Sequence, residues 1–118
     1  MRMWMCPTEV LCRKHLLGEH GEIHKHRHNF VKKHSISGRV FPKVQVEPES
    51  MQLRHDALVE EMISRGYNHQ SPYEMPDISY LPSGVKDAKV NIGEAIKDLI
   101  ERCPDCSLRY KTASNTTT

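Results

Sequence analysis

The chain has 118 residues, 37% hydrophobic and 27% charged, with a net charge of +2, which bounds it to one soluble domain with a modest core. No run approaches the roughly 18 consecutive apolar residues that a membrane helix needs, so no membrane partner is expected. The opening MRMWMCPTEVLC has no unbroken apolar stretch and no small-residue cleavage site; no secretion signal is expected, and the cytoplasm is the expected location.

The first predicted element is a helix over about residues 7–33. Pro7 and Glu9 suit a first turn, and Val10, Leu11, Leu16, Leu17 and Ile23 recur as one apolar stripe. Gly18 and Gly21 interrupt it and predict close approach of another backbone. Arg39 to Val46 alternates briefly, but Pro42 argues against a central strand and makes it an extended connector. A second helix is expected from about Glu47, with Met51, Leu53, Ala57, Leu58, Met62 and Ile63 as its stripe and Gly66 as its cap. Three prolines and three tyrosines between Tyr67 and Gly84 read as loop. Val90, Ile92, Ala95, Ile96, Leu99 and Ile100 predict a third helix that stops before Pro104. The expected fold is all-α: a compact single domain of about three helices with long connectors over residues 1–110, and a disordered tail over 111–118. Trp4, Met51 and Met62 are expected in packing roles.

Charge is unevenly spread. Residues 1–44 carry nine Lys/Arg against three Glu, or +6, whereas residues 45–118 carry eight against twelve acids, or −4. Six of the eight histidines lie in the first part. A basic end on a nearly neutral chain suits a polyanion contacted by one face. The densest region is His15 to His28, where Glu19 and Glu22 share a helix face and His15 lies one turn before Glu19. Carboxylates amid Arg, Lys and His stay ionised, as a general base or cation stabiliser requires.

Arg2 together with Leu11-Cys12-Arg13-Lys14-His15-Leu16-Leu17-Gly18-Glu19-His20-Gly21-Glu22 resembles the opening helix of the pyrimidine-dimer DNA glycosylases, the phage-type endonuclease V family. A second stretch, Leu58-Val59-Glu60-Glu61-Met62-Ile63-Ser64-Arg65-Gly66-Tyr67-Asn68, is similar to that family's helix ending in Arg-Gly-aromatic-Asn. The resemblance extends over about residues 1–102. It implies a metal-free DNA-repair glycosylase with abasic-site lyase activity, acting on ultraviolet-damaged or modified double-stranded DNA. The implied nucleophile is the main-chain amine of the first residue. Arg2 is too large for ordinary Met removal, so this is the amine of Met1. Glu22 would stabilise the sugar cation and assist proton movement, and His15 would position groups nearby. Arg2, Arg13, Lys14, Glu19, His20, Lys25, Arg27, Lys32 and Lys33 form the expected DNA face. Where the family carries Arg before the second Glu, Gly21 stands here. A terminal amine, with a pKa of about 7.7–8, is partly neutral at cellular pH, as a nucleophile must be.

Other readings use the same residues. Without a secretion signal the four cysteines are expected as thiols. No cofactor is expected, with a structural zinc on Cys103 and Cys106 as the alternative, its other pair being Cys6 and Cys12 or two histidines. His20 and His24, at helical i,i+4 spacing among His26 and His28, offer a metal-dependent nuclease as another. A non-catalytic DNA- or protein-binding protein on the same fold is the third. The expected enzyme is a monomer.

Overall fold

A computed structural model describes residues 2–68 and 72–115. Five α-helices and no strand occur among them: α1 (Arg13–Val31), α2 (Met51–Ser64), α3 (Ser83–Lys86), α4 (Ile92–Arg102) and α5 (Pro104–Asn115). The all-α, single-domain expectation therefore holds, with two more helices than expected. No described helix is long and apolar enough to cross a membrane.

The expected first helix is split. Thr8–Val10 make one 3-10 turn, Leu11 and Cys12 are extended, and α1 begins at Arg13. The break has a physical cause. Arg65, held by Glu61 at 2.8 Å, donates from one guanidinium nitrogen to the carbonyls of Thr8 (3.3 Å) and Leu11 (2.7 Å). The Leu11 carbonyl, which a continuing helix would use internally, is satisfied by the residue that caps α2 instead, while the Thr8 carbonyl accepts the Leu11 amide as well. Gly18 and Gly21 have no neighbour within 4 Å of an added Cβ, so the expected close backbone approach is absent; both are exposed on the solvent side.

Helix α2 ends as expected. Gly66 adopts φ +85°, and the Gly66 and Tyr67 amides return to the Ile63 and Met62 carbonyls, a paired cap that left-handed glycine favours. Its inner face differs from the expected stripe. Met51, Leu58 and Met62 are buried, but Leu53 and Ile63 are exposed, and Arg54 and His55 take inward places.

Helix α4 ends at Arg102, before Pro104 as expected, and Pro104 then opens α5, because proline lacks only an N–H that a first turn does not use. That helix continues to Asn115, so residues 111–115 of the expected tail are helical; Thr116–Thr118 lie outside the described residues. Helix α5 packs on α4 and the Thr8–Val10 turn, and α1 packs on α2.

The N-terminal segment is woven into the core. Met3 and Trp4 are buried, and the Met3 amide donates to the Gln45 carbonyl at 2.8 Å. The Arg2 guanidinium lies 4.4 Å from the Trp4 ring centroid and donates to Asp98 of α4 at 3.1 Å, where Lys43 also binds. Trp4 is thus in a packing role, as expected.

The deepest polar contact is between helices. Arg54 of α2 grips Glu19 of α1 with two bonds, 2.6 and 3.0 Å, and donates a third to the Cys6 carbonyl at 2.7 Å. Glu19 and Arg54 are only 2% and 6% exposed. Glu19, expected at the DNA face, is therefore internal: its carboxylate is consumed by Arg54. A buried charge stripped of its partner costs about 3–5 kcal/mol. Arg54→Ala is expected to lose stability of that order in urea unfolding, whereas the double variant Glu19→Leu/Arg54→Met recovers most of it. A loss below about 1 kcal/mol for the single variant would show the pair to be dispensable.

Candidate functional site

Helix α1 turns about 100° per residue, which sorts its side chains into four strips. Leu16, Glu19, Ile23, His26 and Phe30 face the core. His15 and Glu22 border that strip on one side, and His20 and His24 border it on the other. Lys14, Gly18, Gly21, Lys25 and Lys32 line the solvent side, all exposed.

The Glu22 border has unspent polar groups. The Oε2 atom of Glu22 is buried without a hydrogen-bond partner among the described residues, as are both ring nitrogens of His26 one turn later and Nε of Arg2. Buried polar atoms are nearly always paired, so the orphaned atoms of Glu22 and His26 call for a functional account, whereas Arg2 is otherwise satisfied by Asp98. Burial, helped by Arg39, pushes the His26 pKa down to about 4, leaving a neutral ring at pH 7. Beside His26 opens a hollow of about 480 Å³ walled by Lys25, Asn29 and Arg39, with no carboxylate in its lining. Lys25 and Asn29 lie three and seven residues after Glu22, on the adjoining surface of the helix. This hollow is cationic, and Glu22 stands one helical turn before His26 in its wall. Arg39 was not foreseen, because a 3-10 turn (Ser37–Arg39) carries no periodicity that would aim its side chain.

Other expected site residues are distributed differently. Met1 lies outside the described residues. Arg2 is committed to Asp98 and Trp4, with its side chain only 11% exposed. Arg13 sits over the Tyr67 ring at 5.2 Å. Arg27 donates to the Glu74 carbonyl at 2.6 Å, on the opposite border from Glu22. Lys14, Lys25, Lys32 and Lys33 are exposed.

His15 enters a thiol cluster. Its Nδ1 lies 3.2 Å from Cys12 Sγ and 3.5 Å from Cys106 Sγ, and Cys12 Sγ lies 3.8 Å from Cys103 Sγ. The four ligand atoms fall within 4.8 Å of one another and could hold a metal ion. A tetrahedral zinc with Zn–S about 2.3 Å and Zn–N about 2.0–2.1 Å has S···S edges of about 3.8 Å and S···N edges of about 3.5 Å. Three backbone amides point at the sulfurs: His15 to Cys12, Cys12 to Cys106 and Cys106 to Cys103. The fourth candidate ligand is thus His15, where the all-cysteine alternative had Cys6. Cys6 lies by the Arg54–Glu19 pair instead, and burial pushes its thiol up to about 11.

On the other border, three histidines converge. The Nε2 atoms of His24 and His20 are 3.3 Å apart, and those of His55 and His24 are 3.2 Å apart. All three lie within 4.8 Å of one another. The His55 Nδ1 faces the Asp56 carboxylate at 3.1 Å, and the Tyr73 ring stacks on His55. His55 was missed in the sequence because a lone histidine in α2 has no local spacing partner.

The family model described as pyrimidine dimer DNA glycosylase matches residues 1–75, more than half of the chain. That span holds α1, the connector and α2, with Glu22, the cationic hollow and the three converging histidines; Cys103 and Cys106 lie beyond it. No curated protein and no solved structure matches the chain. The family match and the two sequence blocks at α1 and α2 agree: this chain belongs to the pyrimidine dimer DNA glycosylase family.

Proposed function

We propose that this protein excises a base at ultraviolet-damaged sites of double-stranded DNA and cleaves the resulting abasic strand, with the Met1 main-chain amine as nucleophile and Glu22 as its carboxylate partner. Family membership makes glycosylase chemistry on damaged DNA the kind of reaction to be explained. The observation that supports the finer reading is the buried Oε2 of Glu22, which has no hydrogen-bond partner among the described residues, at the second Glu of the family's helix motif and one turn before His26 in the wall of the cationic hollow.

The neutral amine attacks the sugar C1′, the glycosidic bond breaks, and its electron pair leaves with the base, which gains a proton. The Glu22 carboxylate stabilises the positive sugar as that bond opens. Loss of a proton from nitrogen and opening of the sugar ring leave an imine. Removal of a C2′ proton then expels the 3′ phosphate, with the imine as electron sink. Lys25 and Arg39 supply cations for flanking phosphates, and Lys14, Lys32 and Lys33 extend the positive surface. Gly18 and Gly21, bare on the solvent side, let the DNA backbone come close to the helix just before Glu22. Opening a distorted dimer costs less than opening sound duplex, which favours the lesion. His15 serves this site indirectly, by fixing the start of α1. The protein acts in this reading as a cytoplasmic monomer.

Borohydride should trap a covalent adduct on ultraviolet-irradiated duplex, and Glu22→Gln should lower strand cleavage by about 10²–10⁴-fold with duplex affinity retained. Cutting that EDTA abolishes, without any adduct, would replace this reading with a metal-dependent nuclease. Duplex binding with neither cutting nor adduct would leave a binding protein.

Cys12, His15, Cys103 and Cys106 hold a structural zinc in the same reading, supported by sulfur and nitrogen separations close to tetrahedral edges and by the amides directed at the sulfurs. The ion fastens the start of α5 to the start of α1. Cys106→Ser is expected to lose one zinc per chain by elemental analysis and to lower Tm by roughly 10 °C, as a few kcal/mol does in a domain of this size. An unchanged zinc content would remove the ion from this site.

A further inference from the structure

The three histidines on the far side of α1 take no part in the chemistry proposed at Glu22. We propose that His20, His24 and His55 bind a second zinc ion, which clamps α2 to α1. This inference does not rest on the glycosylase reading or on the thiol site.

The convergence uses one kind of atom. All three rings direct Nε2 inward, with His24 Nε2 at 3.3 Å from His20 and 3.2 Å from His55. A ring nitrogen has a single site, either a lone pair or an N–H, so His24 Nε2 cannot bond to both neighbours at once. A metal ion resolves the conflict, since each lone pair then points to a common centre. For Zn–N bonds of about 2.0–2.1 Å, tetrahedral N···N edges are about 3.3–3.4 Å, and the two separations are close to this.

The surroundings fit ligand histidines. His20 and His24 stand one turn apart on α1, the spacing by which a helix presents two imidazoles to one ion. His55 comes from α2 and is buried. Its Nδ1 faces Asp56 Oδ1 at 3.1 Å. With Nδ1–H donating to the carboxylate, the Nε2 lone pair is left for the metal, the usual outer support of a zinc-bound histidine. Tyr73 stacks on the His55 ring at 5.1 Å and limits its rotation. Three neutral nitrogens with no carboxylate suit zinc rather than magnesium or calcium.

The position gives the ion its role. His20 and His24 lie two residues on either side of Glu22, so helical rotation sets them about 160–200° away from it. The ion therefore sits apart from the reacting carboxylate and holds the helix pair from its opposite border.

Cobalt(II) titration of metal-free protein separates the two sites. Wild type is expected to take two equivalents, of which only one develops a near-ultraviolet thiolate-to-cobalt band. His24→Ala should take one equivalent and keep that band. Asp56→Asn, an exposed change that leaves the core intact, should still take two but bind the thiolate-free ion about 10–100-fold more weakly. A wild type that takes a single equivalent, with the thiolate band fully developed, would overturn the proposal. So would a His24→Ala chain that still takes two, or an Asp56→Asn chain with unaltered affinity at the thiolate-free site.

Discussion

A carboxylate buried in a domain this small demands an opposite charge, and the Glu19–Arg54 pair is the constraint from which the rest of the arrangement follows. Arg54 holds both oxygens of Glu19 and also the Cys6 carbonyl. Three separate segments are thereby tied at one point: the N-terminal stretch, α1 and α2. Burial pulls the Arg54 pKa down, but its bonds and attraction to Glu19 more than offset this and raise it, so the guanidinium stays charged. Because Glu19 must point inward, the rotation of α1 about its own axis is set. Glu22 then falls at one border of the buried strip, and His20 and His24 fall at the other.

That rotation gives a single helix several chemical environments. Toward Glu22 and His26 lie orphaned polar atoms and a hollow walled by Lys25 and Arg39. Toward His20 and His24 lie His55 and Tyr73. The solvent side carries lysines separated by two glycines without side chains. Opposing functions are kept apart by helical geometry rather than by distance along the chain.

The segment after Met1 is held with similar firmness. Arg2 is stacked on Trp4 and paired with Asp98, whose acidity is strengthened by hydrogen bonds from Lys43 and Arg2. Arg2 is thereby an anchor more than a free phosphate ligand. The thiol–imidazole cluster adds a second anchor, joining Cys12 and His15 to Cys103 and Cys106 across more than ninety positions of sequence. Small domains bury too little apolar surface to be generous with stability, and such cross-links are a common remedy.

Much of this was written in local pattern. The apolar stripe of α1, the Gly66 cap of α2 and the third amphipathic run are short-range features, and all three correspond to helices. The His-Leu-x-Gly-Glu-x-x-Glu block placed the chain in its family, because a motif on one helix needs no knowledge of the fold. What spacing could not show was which neighbour each polar side chain would meet. Glu19 and Glu22 look alike as two acids on one face, yet Arg54, thirty-five residues away, takes the first inside and leaves the second with an oxygen that has no hydrogen-bond partner among the described residues. His15 stands in the thiol cluster where Cys6 was the alternative, for the same reason. His55 became a partner of His20 and His24 only when α2 packed on α1. Hydrophobic period and capping are settled within a few turns of chain, whereas charge pairing and metal geometry require atoms brought together from distant segments, and only the tertiary structure decides which ones meet.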